Sequence, residues 1–437
     1  MKEPLHRLGA TRLAQMIAGG EITSEVATRS FIDAIHARER EINAFAWFDA
    51  DRALATAREL DRLQANGARR GLLHGLPVAV KDHIDTADMP TSYGSPIYEG
   101  HRPPADAAVV ALLANAGAFT LGKTVTAELA NFTPGPTRNP HDLAHTPGGS
   151  SSGSAAAVAA HFAPLALGTQ TAGSMIRPAS FCGVAAYKPS PRLIPRAGVK
   201  QNSDTLDEVG VFARNVEDLA LAASVLALKP AWRDAAAQMI AAGAVPTIAW
   251  TGTPQAQLAS ASLRDALETA ARTVIQRGAR HVELTWPRVF DGLFEAQRIV
   301  QIYETARALG PEFTYRRDRL SRRLVELIEQ GRAVRALEYL EALQLGRACA
   351  AAIDSLFGAA DVVLTFSAPG EAPKGIDSTG DPLFNRPWQL LGCPSLNLPY
   401  GRGEAGLPLG LQVIARPGDD AKLFAAGAWI ETHLREG

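Results

Sequence analysis

The 437-residue chain has only three cysteines, Cys182, Cys349 and Cys393, and none stands in a CxxC pair. That excludes a disulfide framework and a paired-cysteine metal site. There is no surplus of either charge: 44 Lys and Arg against 45 Asp and Glu give a net charge of -1. A basic surface for nucleic acid or an acidic membrane is therefore not expected. No apolar run reaches the ~18 residues of a membrane span. The opening MKEPLHRLGATRLAQMIAGG lacks the long apolar core of a secretory leader. Together these absences predict a protein of the reducing cytoplasm. HExxH and carboxylate–His clusters are also missing, and no Gly-Lys-Ser/Thr follows the Gly148 to Ser154 loop as a Walker motif requires, so neither a metal nor a cofactor is expected. Internal repeats and low-complexity linkers are absent as well.

What is present is an ordinary globular composition, 46% hydrophobic and 20% charged, enough for a sizeable core. The stretch before Arg70 reads as helices, one following Thr23-Ser24 and one over Asp51 to Gln64. Short apolar strands are predicted at Gly75 to Val80, Ala118 to Leu121 and Ala163 to Leu167. Helices are predicted over Asp106 to Ala116 and Ala155 to Ala160. Residues 255–355 read as mostly helical. Strands return at Asp361 to Thr365, Ser395 to Pro399 and Leu409 to Ile414, before a closing helix from about Asp420. This alternation predicts an α/β fold, an α/β/α sandwich around a central mixed sheet. The expected organisation is a single domain over 1–437, with a core at 70–200 and a variable helical region at 230–360.

Three segments carry unusual chemistry. They are Gly75 to Ser95, the Gly/Ser loop that includes Pro147 to Ala160, and Gly168 to Ser190. Each sets small residues at a strand end or helix start, where backbone amides can approach a ligand. Taken singly, each has a plain explanation. Gly148 to Ser154 would serve as a flexible connector, Thr171 to Ser174 as a tight corner, and Lys81 as a strand-end lysine reaching water.

Taken together and in order, GLPVAVKDHIDTADMPTSYGS, NPHDLAHTPGGSSSGSAAAVAA and GTQTAGSMIRPASFCGVAAYKPS resemble the amidase signature family. The C-terminal FNRPWQLLGCPSLNLPYGRGEAGLPLGLQVIA extends the likeness. The resemblance implies a Ser-Ser-Lys triad. Ser174 would be the nucleophile, Ser150 (on a cis peptide bond, at the family's usual interval before it) the relay, and Lys81 the base. It also implies an oxyanion hole on the amides of Thr171, Ala172, Gly173 and Ser174. The chemistry is coherent. A serine hydroxyl needs a base, and a lysine serves if burial keeps it neutral. Amides aimed at a developing oxyanion contribute ~3–4 kcal/mol each in comparable sites.

The chain departs from the commonest family form at three positions. Gln170 replaces the usual Asp, Ala172 the usual Gly, and Ile176 the usual Arg, with Arg177 following. A similar S-x-I-R-P-A run occurs in malonamidase-like members, where the arginine holds a substrate carboxylate. On that resemblance Arg177 reads a carboxylate on a malonamate-like half-amide; otherwise it is a structural ion-pair partner. Asn131, Ser151 and Tyr93 are further candidates for the pocket, and Asp82 and Asp85 for orienting Lys81. His83 and His145 lack catalytic spacing, and Cys182 among apolar neighbours reads as a packing residue.

The expected activity is hydrolysis of a small-molecule carboxamide to carboxylate and ammonia, with a homodimer as the family habit. Two alternatives stand beside it: the amidase subunit of a tRNA-dependent amidotransferase, and a hydrolase of neutral aliphatic or aryl amides. A catalytically dead binding scaffold is disfavoured by the intact Lys81, Ser150 and Ser174.

Overall fold

Hydrophobic patterning along the strands sets the layers. In a computed structural model describing residues 3–435, eleven strands form one mixed sheet. The strands are β1 (Phe45–Phe48), β2 (Pro77–Lys81), β3 (Phe119–Thr124), β4 (Leu165–Gln170), β5 (Ala185–Lys188) and β6 (Glu208–Ala213). They continue with β7 (Thr247–Trp250), β8 (Arg280–His281), β9 (Val362–Phe366), β10 (Ser395–Arg402) and β11 (Pro408–Ile414). Their order is β1-β3-β2-β4-β6-β5-β10-β11-β9-β7-β8. Strands β3, β2 and β4 run parallel to one another, as do β9, β7 and β8, while the pairs linking β4 to β9 are antiparallel. Residues 1, 2, 436 and 437 lie outside the described residues.

Every residue of β2, β4, β6, β9 and β11 is buried, as strands covered on both faces require. Val78, Val80, Leu165, Leu167, Val209 and Val211 point to one face, under helices that include Val216–Leu226 and Asp420–Arg435. Ala79, Ala166 and Ala186 point to the other. Those small side chains let the helices Ser152–Ala159 and Ile176–Cys182 lie close on the sheet, and that second face carries the site.

The predicted helical region is not purely helical, because β7 and β8 extend the sheet from within it. Its helix Leu293–Ala308 packs against both Arg322–Ala333 and Ala336–Ala351. They reach the 70–200 core through a cluster that joins Tyr93 and Leu129 to Leu309, Leu324 and Ile328. Near the start of the chain, β1 is a strand where the sequence reads as helical, and it pairs with β3 at the sheet's edge. The Ala-rich stretch near 235 forms the helix Ala235–Ala241, which lies against the closing helix.

Candidate active site

Lys81 ends β2 and is fully buried. Its Nζ lies 2.8 Å from Ser150 Oγ, 2.7 Å from Thr169 Oγ1 and 3.5 Å from the Thr169 carbonyl. These partners suit an uncharged amine. All three can accept from the amine, and an uncharged amine keeps a lone pair able to take the Ser150 proton. Burial holds the amine well below the ordinary lysine range, and the field of Asp207 works against that shift.

Ser150 is also buried, and the Gly149–Ser150 peptide bond is cis. The next amide, Ser151 N–H, donates 3.3 Å to the carbonyl of Ser174, which ties the Gly/Ser loop to the turn after β4. Ser174 is half-buried, more accessible than Lys81 or Ser150. The three residues therefore run from the interior outward in the order Lys81, Ser150, Ser174.

The turn Thr171 to Ser174 is held from several sides. Thr171 Oγ1 donates 2.6 Å to Asp207 Oδ1, and Gln297 Nε2 donates 3.3 Å to the Thr171 carbonyl. Gln170 Oε1 accepts from the amides of Met175 (2.9 Å) and Ile176 (3.1 Å), so the neutral amide performs a capping task. Its Nε2 in turn donates to Gln389 Oε1. Gly173 has no room for a side chain, because a Cβ there would collide with Asn385 Oδ1. The amides of Thr171, Ala172, Gly173 and Ser174 meet no protein acceptor among the described residues.

Arg177 is buried on the helix Ile176–Cys182. Its Nη2 donates 2.6 Å to the Gly149 carbonyl and 3.2 Å to Thr379 Oγ1, which braces the peptide preceding Ser150. Nε and Nη1 have no partner among the described residues, and burial lowers the guanidinium to about 9. Asn131 Nδ2 donates to the Leu129 carbonyl and to Asn202 Oδ1, while its own Oδ1 is buried and unpartnered among the described residues. The Ser151 hydroxyl is engaged by the backbone of Thr169 on both sides.

Asp82 does not orient Lys81. Side chains alternate along a strand, so position 82 projects to the opposite face. There Asp82 pairs with Lys123 at 3.2 Å and accepts from the amide and hydroxyl of Ser92. Asp85 accepts from the Tyr93 hydroxyl at 2.7 Å. His83 packs edge-on against Tyr93, and His145 pairs with Asp142. Cys182 is buried with its thiol on the Pro147 carbonyl, and burial pushes its pKa up. Among the described residues, no group of three His, Cys, Asp or Glu is placed to hold a metal ion. No helix there is long and apolar enough to cross a membrane.

The family model for amidases matches residues 26–424. The chain belongs to the amidase family. It acts on amide C–N bonds, as that family does, and the sheet with its flanking helices is the family fold. The chain is 34% identical to the A-subunit of the glutamyl-tRNA(Gln) amidotransferase of Anaeromyxobacter sp. strain K, over 98% of this chain and 97% of that one. A second protein of that name, from Acidothermus cellulolyticus, is 48% identical over 222 residues, which are 49% of this chain and 44% of that protein. The solved peptide amidase of Stenotrophomonas maltophilia superposes with a TM-score of 0.84 at 29% identity, covering 99% of this chain and 98% of that one.

Sequence reasoning missed Thr169, Asp207, Gln297, Thr379 and Asn385. Asp207 had a signal that only the fold makes visible. Strands β4 and β6 are antiparallel, with Gln170 opposite Glu208, so Thr171 and Asp207 are the next pair outward.

Proposed function

We propose that this amidase hydrolyses a small carboxamide through an acyl-enzyme on Ser174. The observation that carries this is the buried Lys81 amine, 2.8 Å from Ser150 Oγ and, among the described residues, with only Thr169 as its other partner. Ser174 Oγ attacks the substrate carbonyl. Its proton passes to Ser150, whose own proton moves to Lys81. The carbonyl oxygen takes up negative charge among the free amides of residues 171–174. The tetrahedral intermediate collapses with the proton returned to the leaving nitrogen, and ammonia departs. Water then repeats the sequence on the ester and releases the carboxylate. The scheme needs no metal or cofactor. On this reading the chain works in the cytoplasm on a small-molecule amide, alone or as a homodimer, without nucleic acid or membrane.

Arg177 supports a substrate bearing a second carboxylate, because its buried Nε and Nη1 lack partners among the described residues. A planar fork suits a carboxylate. Its bond to the Gly149 carbonyl supports the structural role with equal directness. A second reading, the amidase subunit of a tRNA-dependent amidotransferase, is favoured by the names of the full-length relatives. Gln170, Ile176 and Arg177 in place of the common residues weigh toward the stand-alone enzyme.

One experiment separates these. Ammonia release is assayed with malonamate, succinamate, propionamide and glutamine, beside a tagged purification of the chain from its native cells. Turnover of half-amides by the purified chain, reduced far more by Arg177→Leu than turnover of propionamide, supports the first reading. Equal loss on both would make Arg177 structural and bring the neutral-amide reading forward. Stoichiometric co-purification of two further proteins, with glutamine hydrolysed only in the complex, would overturn the stand-alone enzyme.

A further inference from the structure

Asp207 is a buried carboxylate with no cation in contact with it among the described residues. Its Oδ2 accepts from the amides of Asn202 and Ser203, both at 2.8 Å. Its Oδ1 accepts from Thr171 Oγ1 at 2.6 Å. Arg196 approaches only the main chain, donating 2.8 Å to the Asp207 carbonyl. A carboxylate so placed would normally be neutralised or paired. Burial raises its pKa above the ordinary aspartate value, and the three donors, with the more distant Arg196 charge, act against that shift in favour of the carboxylate.

Two consequences meet at this side chain. The first is mechanical. Thr171 opens the turn whose amides are free, and Asp207 is the strongest of its tethers. Asn202 Nδ2 reaches Thr171 Oγ1 at 3.4 Å, and Gln297 holds the Thr171 carbonyl. The second is electrostatic. When a serine proton reaches Lys81, a lysinium forms in a fully buried site whose direct partners among the described residues are all neutral. Some charge must stabilise it, and Asp207 is the carboxylate whose field reaches it. Asp82, nearer in sequence, is taken by Lys123 on the other face.

We propose that Asp207 is a positioning residue for this site. Through Thr171 it fixes the turn that receives the carbonyl oxygen, and through space it stabilises the lysinium formed on Lys81 during attack. The proposal presupposes the roles assigned to Ser174, Ser150 and Lys81. Other ionisable groups around the pair are His83, which burial keeps neutral beside Lys81, and Arg196, Lys200, Asp204 and Glu208 near Asp207.

Two substitutions separate the halves. Asp207→Asn is nearly isosteric. Its Oδ1 can still accept from the amides of Asn202 and Ser203, and its Nδ2 can donate to Thr171 Oγ1, so the tether survives while the charge goes. Thr171→Val keeps the charge and cuts the tether. The readout needs no substrate. The rate at which an alkyl fluorophosphonate modifies Ser174 is followed by mass spectrometry as a function of pH. In that step the Ser174 oxygen bonds to phosphorus, fluoride leaves, and the proton ends on Lys81.

For wild type the labelling rate should rise with pH to a plateau as Lys81 loses its proton. In Asp207→Asn the midpoint should move to lower pH by ~0.5–1 unit, because the lysinium loses its counter-charge. In Thr171→Val the plateau should fall roughly 10–100-fold at an unchanged midpoint, with Thr171→Ser restoring it to within about threefold. A purely structural residue would change the melting temperature without moving the midpoint. An unmoved midpoint in Asp207→Asn overturns the electrostatic half, and a wild-type plateau in Thr171→Val overturns the mechanical half. The Thr171 pair tests Asp207 even if the Asn variant does not fold. Wild-type protein that takes no label on Ser174 would instead sink the underlying assignment.

Discussion

Lys81 and Lys123 stand on neighbouring parallel strands, both fully buried, with opposite surroundings. Lys123 sits 3.2 Å from the Asp82 carboxylate and donates to the Ile84 carbonyl and the Thr91 hydroxyl. Lys81 has two hydroxyls and a distant carbonyl. Burial lowers the proton affinity of both amines, and for Lys123 Asp82 acts against it at contact distance. The difference shows what distinguishes a lysine that builds the fold from one that can move a proton. A buried ammonium with its carboxylate is locked in charge, while a buried amine among hydroxyls is free to change it.

The sharpest way to break this contrast is to replace each lysine by Met. Lys81→Met should lose several orders of magnitude in amide turnover, since the three residues act as a unit. Its stability should change by less than ~1 kcal/mol, because the amine it removes is buried without an ion-pair partner among the described residues. Lys123→Met should strand the Asp82 carboxylate and cost ~3–5 kcal/mol in urea unfolding, while the folded fraction keeps turnover within about tenfold. Equal effects on rate in the two variants would erase the distinction.

The hydroxyl partners provide a milder pair. Thr169→Val should lower turnover roughly 10–100-fold by releasing Lys81, at little cost in stability. Thr91→Val removes a hydrogen bond to a charged amine and should cost ~1–3 kcal/mol with no change in rate. Urea melts and ammonia assays on both proteins read the two axes independently.

The smallest effect concerns where pH acts on stability. Activity should follow Lys81, appearing as pH rises through its depressed pKa. Stability should follow buried carboxyls, of which Glu39 and Glu208 are both raised to about 7 by burial. For such a group the neutral form is favoured in the fold. The stability it contributes is complete below its unfolded value near 4.5 and is lost as pH rises through about 7. Unfolding free energy should therefore fall by ~1–2 kcal/mol between pH 5 and 8. Glu39→Gln should remove part of that slope without moving the activity profile.

Much of this is legible in the chain itself. The apolar run ending at Lys81 and the Gly/Ser loop at Ser150 carry their local structure in their residue types. So does the small-residue turn at Ser174, and the ends of the strands and helices around it fall close to where the sequence puts them. Strand β1 is hidden because FAWF is short and flanked by helical texture, and Glu208–Ala213 because its signal is no stronger than that of any apolar stretch. The residues around the turn and around Arg177 are hidden for another reason. Asp207, Gln297, Thr379 and Asn385 come from segments far beyond Thr171 in the chain, and only the strand register and the packing of the C-terminal block bring them there. The reach of Asp82 is open to misreading, because adjacency in sequence means opposite faces in a strand.

The central claim is that Ser174 becomes acylated with Lys81 as the ultimate proton acceptor. Acid quenching during turnover of a carboxamide, followed by peptide mass mapping, tests it most directly. The account predicts one acyl adduct, on Ser174, present in wild type and in Lys123→Met and absent in Lys81→Met. An adduct on any other residue, or undiminished acylation of Ser174 in Lys81→Met, would contradict it.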